Sequence, residues 1–354
     1  MALAYDRRVA CPLAAGYPHV PPLPWRSSCP PGRVRGVNLP AIQSAADRSL
    51  DEDWPRRLAR GARRGTLVRI RQGCYVDAVQ WKALDANQQY RLTLQAVLRT
   101  STNAPLFAEE SAAFLWGLPL PETPTMVDTL VPQGSGRRTG NGVRRIVRPA
   151  VGPCVQIGGF TVTGKIQTAV ELALRYDLPW AVAVMDRALN AVRLPAERRA
   201  NPVGKPEIAT YIESLPTARA RRKATRVLDF ANGLAMLPGE SLSRVHMAAR
   251  GFEAPELQYE VHNSDGHAAT VDFYWKASGI VGEFDGLTKY LKPEYLQGRT
   301  ASQVVIDEKI REDRIRSTGR HVVRWLWETA VSPAALERCL RAAGVPQNAT
   351  PLVF

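Results

Sequence analysis

The sequence predicts a mixed α/β protein, α+β overall: a winged helix-turn-helix near the N-terminus, a mixed α/β middle domain and a C-terminal α/β domain. Three observations lead there. The chain has 354 residues, and at about 100–200 residues per domain that length asks for two or three cores. Hydrophobic periodicity switches repeatedly between a helical repeat and strict alternation. Finally, residues 240–345 read as helix, three strands, helix, strand, helix, which is the order of a compact α/β unit.

Residues 1–36 are expected to be a disordered, proline-rich tail, because Pro18, Pro21, Pro22, Pro24, Pro30 and Pro31 remove donors and forbid helix interiors. The winged helix-turn-helix is placed at residues 37–80. Residues 39–46 read as a short helix, and Asp47 or Ser49 is placed to cap a second. Trp54, Leu58 and Ala62 fall on one face of a further helix that Gly65 ends. Residues 66–76 alternate apolar and polar around a break at Gly73, as a two-stranded wing does.

The middle domain is placed at residues 88–190, with helices at 90–100, 111–116, 167–175 and 180–189 and strands at 126–131, 143–148 and 160–163. The glycine-rich, basic segment 134–142 is expected to be a hairpin tip. Residues 191–237 read as a basic linker whose helix, 218–230, bears Arg219, Arg221, Arg222, Lys223 and Arg226. The last domain, residues 238–345, is expected to have helices at 242–249, 307–318 and 333–343 and strands at 256–261, 269–275, 279–285 and 322–327.

Composition bounds the function. There are 47 Lys+Arg against 33 Asp+Glu, a formal net charge of +14, which favours a polyanionic partner, nucleic acid ahead of an anionic membrane surface. Hydrophobic residues at 45% and charged residues at 23% exclude wholesale disorder. Cys11, Cys29, Cys74, Cys154 and Cys339 are scattered without a CxxC pair, which excludes a zinc ribbon or finger and argues against a disulfide scaffold. No apolar run is long enough to span a membrane, and none follows Asp6, Arg7 and Arg8 as a signal peptide requires. The expected location is the cytoplasm. No nucleophile elbow, P-loop or dinucleotide signature occurs, and His246, His262, His267 and His321 do not repeat at ligand spacing.

Two groups of residues suggest chemistry. The first is Arg56, Arg57, Arg60, Arg63, Arg64, Arg69 and Arg71. Arg56, Arg60, Arg63 and Arg64 share the helix face opposite Trp54, Leu58 and Ala62, and Arg69 and Arg71 put more charge on the wing. Solvated helix faces usually mix signs. This one is all arginine, which favours contact with the phosphates of double-stranded DNA over a merely solvated charged face. Residues 37–75, ending in Gly65-Thr66-Leu67-Val68-Arg69-Ile70-Arg71-Gln72-Gly73-Cys74-Tyr75, resemble the N-terminal domain of AbiEi-family antitoxins of type IV toxin–antitoxin systems. The likeness extends loosely through Phe114-Leu115-Trp116-Gly117-Leu118-Pro119 and Thr163-Gly164-Lys165-Ile166-Gln167-Thr168-Ala169. It implies operator-DNA binding and a cognate toxin as a partner.

The second group is acidic: Glu240, Asp272, Glu283 and Asp285. Asp272 and Glu283 interrupt strongly apolar strands, and Glu283 and Asp285, two apart, share a face. Gathering carboxylates costs repulsion unless a cation joins them, and Mg²⁺ or Mn²⁺ prefers such oxygen ligands. Residues 240–330 resemble the PD-(D/E)XK nuclease superfamily, in the branch akin to very-short-patch-repair endonucleases. The matching stretches are Gly239-Glu240-Ser241-Leu242-Ser243-Arg244, Thr270-Val271-Asp272-Phe273-Tyr274, Glu283-Phe284-Asp285-Gly286 with Lys289-Tyr290, residues 307–316, and Gly319-Arg320-His321-Val322-Val323-Arg324-Trp325.

The resemblance implies a restriction-endonuclease-like domain in which Asp272 and Glu283 ligate Mg²⁺ or Mn²⁺, Glu240 and Asp285 support them, and Arg311 and Arg314 hold the phosphate backbone; Glu308, Arg311, Glu312, Arg314 and Arg316 read equally as i, i+3 and i, i+4 pairs on an exposed helix. Val271 replaces the motif's proline, and Asp285 stands where its lysine would. Lys289 is the nearest substitute. The expected function is DNA binding joined to metal-dependent phosphodiester hydrolysis in defence or repair. The alternative is an AbiEi-type antitoxin and repressor whose nuclease fold does not cut.

Overall fold

The computed structural model describes residues 39–47, 53–134, 139–148, 151–190, 203–263, 266–285 and 301–352. The chain is mixed α/β, with three sheets, and divides into two compact units: residues 1–172 with 194–201, and 173–193 with 202–354. The tail expected at 1–36 and the cap expected at Ser49 lie outside the described residues.

The first unit opens with β1 (Gln43–Ser44), α1 (Trp54–Arg63), β2 (Leu67–Arg71) and β3 (Cys74–Asp77). Helix α1 lies where its periodicity puts it. Pro55 pre-sets the first turn, Leu58 is buried, and Gly65 ends the helix at φ 75°. Strands β2 and β3 form an antiparallel hairpin around Gly73, also at φ 75°, over the segment expected as the wing. Residues 39–46 do not form the expected helix. Gln43 and Ser44 pair with Tyr75 and Cys74 as a third strand, in the order β1-β3-β2. Two contacts outweigh local helix propensity there. Ile42 buries against Cys74, Val76, Leu92 and Ala96, and the Asp47 carboxylate accepts the Ser44 N–H at 2.8 Å, the side-chain competition that favours turns.

Next come α2 (Ala78–Lys82) and α3 (Ala86–Thr100). Asp77 caps the first, and a reciprocal Asp85–Gln88 capping box starts the second. Then follow β4 (Leu106–Phe107), α4 (Glu109–Trp116), β5 (Val127–Val131), β6 (Val143–Val147), β7 (Val155–Ile157), β8 (Phe160–Val162) and α5 (Lys165–Arg175). The five strands form one sheet in the order β6-β5-β4-β8-β7. The hairpin expected around residues 134–142 is not formed, because β5 and β6 run parallel, with Val127 opposite Val143 and Val131 opposite Val147. Parallel neighbours need a connection of roughly a dozen residues, which this segment supplies. An ionic layer crosses the unit: Arg144 grips the buried Asp128 at 2.7 Å and Glu109 at 2.9 Å, and Arg148 joins Glu109 at 2.9 Å to Glu171 at 3.0 Å. Burial pushes the Glu171 carboxyl up to about 7 against the opposing pull of Arg148.

The second unit contains α6 (Leu178–Leu189), α7 (Lys205–Glu213), α8 (Ala218–Phe230), α9 (Pro238–Ala249), β9 (Glu256–Asn263), β10 (Gly266–Trp275), β11 (Ile280–Asp285), α10 (Ala301–Arg316), β12 (His321–Leu326), α11 (Trp327–Ala330) and α12 (Pro333–Ala342). Two of these helices are placed differently from expectation. Helix α6, assigned above to the middle domain, belongs here. Its buried Asp186 accepts hydrogen bonds from Ser241 Oγ at 2.7 Å, Arg244 at 2.8 Å and the Asn232 N–H at 2.6 Å. Helix α8, expected as a linker, is a packed element that buries Ala224, Val227 and Leu228. The Lys223 ammonium donates to the carbonyls of Leu174 and Tyr176 at 2.9 Å, where a helix end attracts a cation.

The sheet of this unit runs β12-β11-β10-β9. Strands β11 and β12 are parallel, and the other pairs antiparallel. Helices cover both faces, which buries both. Phe273, Trp275, Phe284 and Trp325 pack with Met247 of α9 and Leu336 and Leu340 of α12. Val261, Val271, Tyr274, Val281 and Val322 pack with Ile315 of α10. Only a glycine fits at 282, since a Cβ there would meet the Trp275 and Trp325 rings at 2.9 Å. Trp325 is buried, and its indole N–H donates to Ser243 Oγ at 2.9 Å. Trp327, expected in the strand, is the first residue of α11.

Candidate nucleic-acid interface and carboxylate cluster

The arginines of α1 point away from the buried Leu58. Arg56, Arg57, Arg60, Arg63 and Arg64 are exposed, as is Arg69 on the wing. Arg56 lies 3.5 Å from Asp53, an exposed pair of little energetic weight. The Arg57 guanidinium stacks 5.4 Å from the Trp54 ring centre. Arg60, Arg63, Arg64 and Arg69 have no ion-pair partner among the described residues. Arg71 is different. Its Nε–H donates to Thr100 Oγ1 at 2.6 Å and an Nη1–H to the carbonyl of Asn141 at 2.7 Å. Burial, then the like charge of Arg145, lowers its pKa. This side chain ties the wing to the end of α3 and to the loop before β6, a positioning role that composition does not reveal.

In the second unit, the antiparallel register places Phe273 opposite Gly282, so Asp272 and Glu283 stand one step further along the same strand pair. Asp272 sits where the alternation of β10 breaks: Phe273 and Trp275 join one core, Ala269 and Val271 the other. Its Oδ2 accepts the backbone N–H of Phe284 at 2.9 Å, and its Oδ1 accepts from the Gln258 amide at 3.2 Å. Glu283 is buried. Its Oε1 is 2.6 Å from Arg311 and its Oε2 is 2.7 Å from Arg324, close ion pairs at angles poor for hydrogen bonding. Burial raises the Glu283 pKa, while Arg311 and Arg324 pull it down. Arg324 also reaches Asp285 at 3.3 Å and Glu312 at 3.3 Å, and Glu312 holds Arg316 at 2.7 Å. Arg311 further donates to the Thr270 carbonyl at 2.7 Å.

Of the predicted acidic residues, Asp272, Glu283 and Asp285 therefore lie on adjacent strands at one end of the sheet. Glu240 makes a local contact, its Oε2 accepting the Met236 N–H at 2.8 Å at the start of α9. Arg311 is directed at Glu283, and Arg314 is exposed on α10. Lys289 lies outside the described residues. Residue type alone did not single out Arg324 and Gln258; their strand positions bring them in.

These side chains do not fit Mg²⁺ or Mn²⁺ as arranged. Such an ion needs several oxygens free to face it at about 2.0–2.1 Å. Both oxygens of Glu283 face guanidinium groups, and both oxygens of Asp272 accept hydrogen bonds. Among the described residues, no group of three or more His, Cys, Asp or Glu side chains converges as a metal set.

No known family's sequence profile matches the chain. It is similar to the uncharacterized proteins MT2308 and Rv2248 of two Mycobacterium tuberculosis strains, each 31% identical over 169 residues, or 45% of this chain and 58% of the relative. The chain thus spans less than two thirds of the length of these relatives. Among solved structures it is similar to the RV2827C protein of Mycobacterium tuberculosis, at 16% identity and a TM-score of 0.36 over 54% of this chain and 72% of that one. Among the described residues, no helix is long and apolar enough to cross a membrane.

Proposed function

We propose that the chain is a DNA-binding protein of the repressor type, which grips double-stranded DNA through α1 and the wing and whose nuclease-like C-terminal domain does not cut. The observation that carries DNA binding is the exposed run Arg60, Arg63, Arg64 and Arg69, one sign of charge with no ion-pair partner among the described residues. Guanidinium groups so displayed meet phosphates and release counterions. A resemblance to antitoxins adds a cognate toxin as a candidate partner.

The test is fluorescence anisotropy of a mixed-sequence duplex across a salt series, with wild type and the quadruple variant Arg60→Ala/Arg63→Ala/Arg64→Ala/Arg69→Ala. At about 0.9 per phosphate contact, the log–log slope should fall by about 3–4. An unchanged slope and affinity would refute the interface.

A metal-dependent endonuclease is the second reading, favoured by Asp272, Glu283 and Asp285 meeting at one end of the sheet. It requires Arg311 and Arg324 to release Glu283. Plasmid nicking with Mg²⁺, Mn²⁺ or EDTA, lost in Asp272→Ala/Glu283→Ala, would establish it.

A further inference from the structure

We infer that the Arg324 guanidinium stands where a divalent cation would otherwise sit, so that the carboxylate set is a closed intramolecular ion cluster and opens to a metal only when that charge is removed. The inference deepens the non-cutting reading and rests on it, independently of DNA binding.

The geometry carries it. The parallel register sets Arg324 directly opposite Glu283. From there one side chain reaches three acids: Glu283 at 2.7 Å, Asp285 at 3.3 Å and Glu312 at 3.3 Å. Arg311 takes the second oxygen of Glu283 at 2.6 Å. Gathering carboxylates is what a bound cation usually permits; here a planar, permanently charged group with five donors does the same work. It differs from an ion in two ways. Its contacts are longer than metal–oxygen bonds, and it is covalently attached, so chelation cannot remove it. Without Arg324, Arg311 still faces Glu283 and Arg316 still faces Glu312, but the cluster has lost the guanidinium that joins Glu283, Asp285 and Glu312, and that loss of positive charge favours a cation.

Mn²⁺ binding to the full chain, read by electron paramagnetic resonance of the free ion, tests this in wild type, Glu283→Gln, Arg324→Lys, Arg324→Met and Arg324→Met/Glu283→Gln, with folding checked by circular dichroism. Methionine keeps much of the stem and removes the charge. Wild type and Arg324→Lys should bind Mn²⁺ no better than Glu283→Gln. Arg324→Met should gain a site at least about tenfold tighter, which the added Glu283→Gln abolishes. Glu283-dependent Mn²⁺ binding in wild type would overturn the inference, as would a folded Arg324→Met that gains no site. Should Arg324→Met fail to fold, the wild-type and Glu283→Gln comparison still decides: equal binding supports the closed cluster, and weaker binding in Glu283→Gln refutes it. These outcomes are separate from the DNA reading, whose salt-slope assay is run in EDTA.

Discussion

Replacing Arg324 with methionine should destabilise the second unit by an amount that grows with pH. The Glu283 side chain is 4% exposed and that of Arg324 21%. Removing one partner of a buried pair costs about 3–5 kcal/mol when the other charge is left uncompensated. Here Arg311 remains 2.6 Å from Glu283 and is itself 32% exposed, so a smaller cost, about 2–3 kcal/mol near neutral pH, is expected. Burial already raises the Glu283 pKa, and Arg324 is one of the two charges opposing that rise. An acid with a raised folded pKa binds its proton more tightly folded than unfolded. Its stabilising contribution is therefore complete below the unfolded value and is lost as pH climbs through the folded one. Taking Arg324 away raises that folded pKa further and extends the loss upward. The deficit relative to wild type should be small at about pH 4 and largest above neutrality. Urea unfolding at several pH values, followed by tryptophan fluorescence and circular dichroism, measures it. A deficit of the same size at every pH would mean that Arg324 acts through the packing of its stem rather than its charge, and no deficit at all would refute the ion cluster.

Three further outcomes follow from the same structure. Glu171, pushed up to about 7 by burial, makes the wild type lose stability as pH rises from the ordinary carboxylate range to about 7; Glu171→Gln should remove up to about 3 kcal/mol of that loss, so that its melting temperature gains on wild type from acid to alkaline buffer. Gly239→Ala would place a Cβ 2.1 Å from the Phe284 ring, and should cost about 1–3 kcal/mol or more in chemical denaturation by forcing α9 off β11. Arg71→Ala releases the wing from Thr100 and Asn141. It should weaken DNA binding while leaving the salt slope closer to wild type than Arg69→Ala does, since its donors are spent on positioning.

Periodicity and turn chemistry made much of the fold legible. Trp54, Leu58 and Ala62 marked α1, and Gly65 and Gly73 adopt the positive φ that ends the helix and turns the wing. Strands β9, β10 and β11 were readable because they alternate or run apolar between turn residues. What failed depended on distant partners. A two-residue strand such as β1 has no period of its own and exists because Tyr75 and Cys74 pair with it. Nothing in the composition of β5 and β6 tells parallel from antiparallel. Helix α8 reads as a linker because its basic residues outnumber the three that it buries. At the acidic cluster, carboxylates interrupting apolar strands were conspicuous. Their neutralising partner was not, since Arg324 reaches Glu283 only through the register between β11 and β12.

That register also bears on what the acidic motif means. A frame of three antiparallel strands, a helix and a parallel fourth strand puts the residue at 324 against the one at 283 whatever its identity. With a small or neutral residue there, the buried Glu283 would keep Arg311 but lose its second guanidinium beside Asp272, an arrangement that a divalent ion relieves. With arginine there, the same backbone closes on itself, and the acids become a clamp between the sheet and α10 through Arg311 and Glu312. An acidic signature on β10 and β11 is therefore compatible with either outcome. Arg324 lies 3.3 Å from the Asp285 carboxylate and 2.7 Å from Glu283, so one guanidinium on β12 neutralises two acids of β11 and is itself held in place by the buried one.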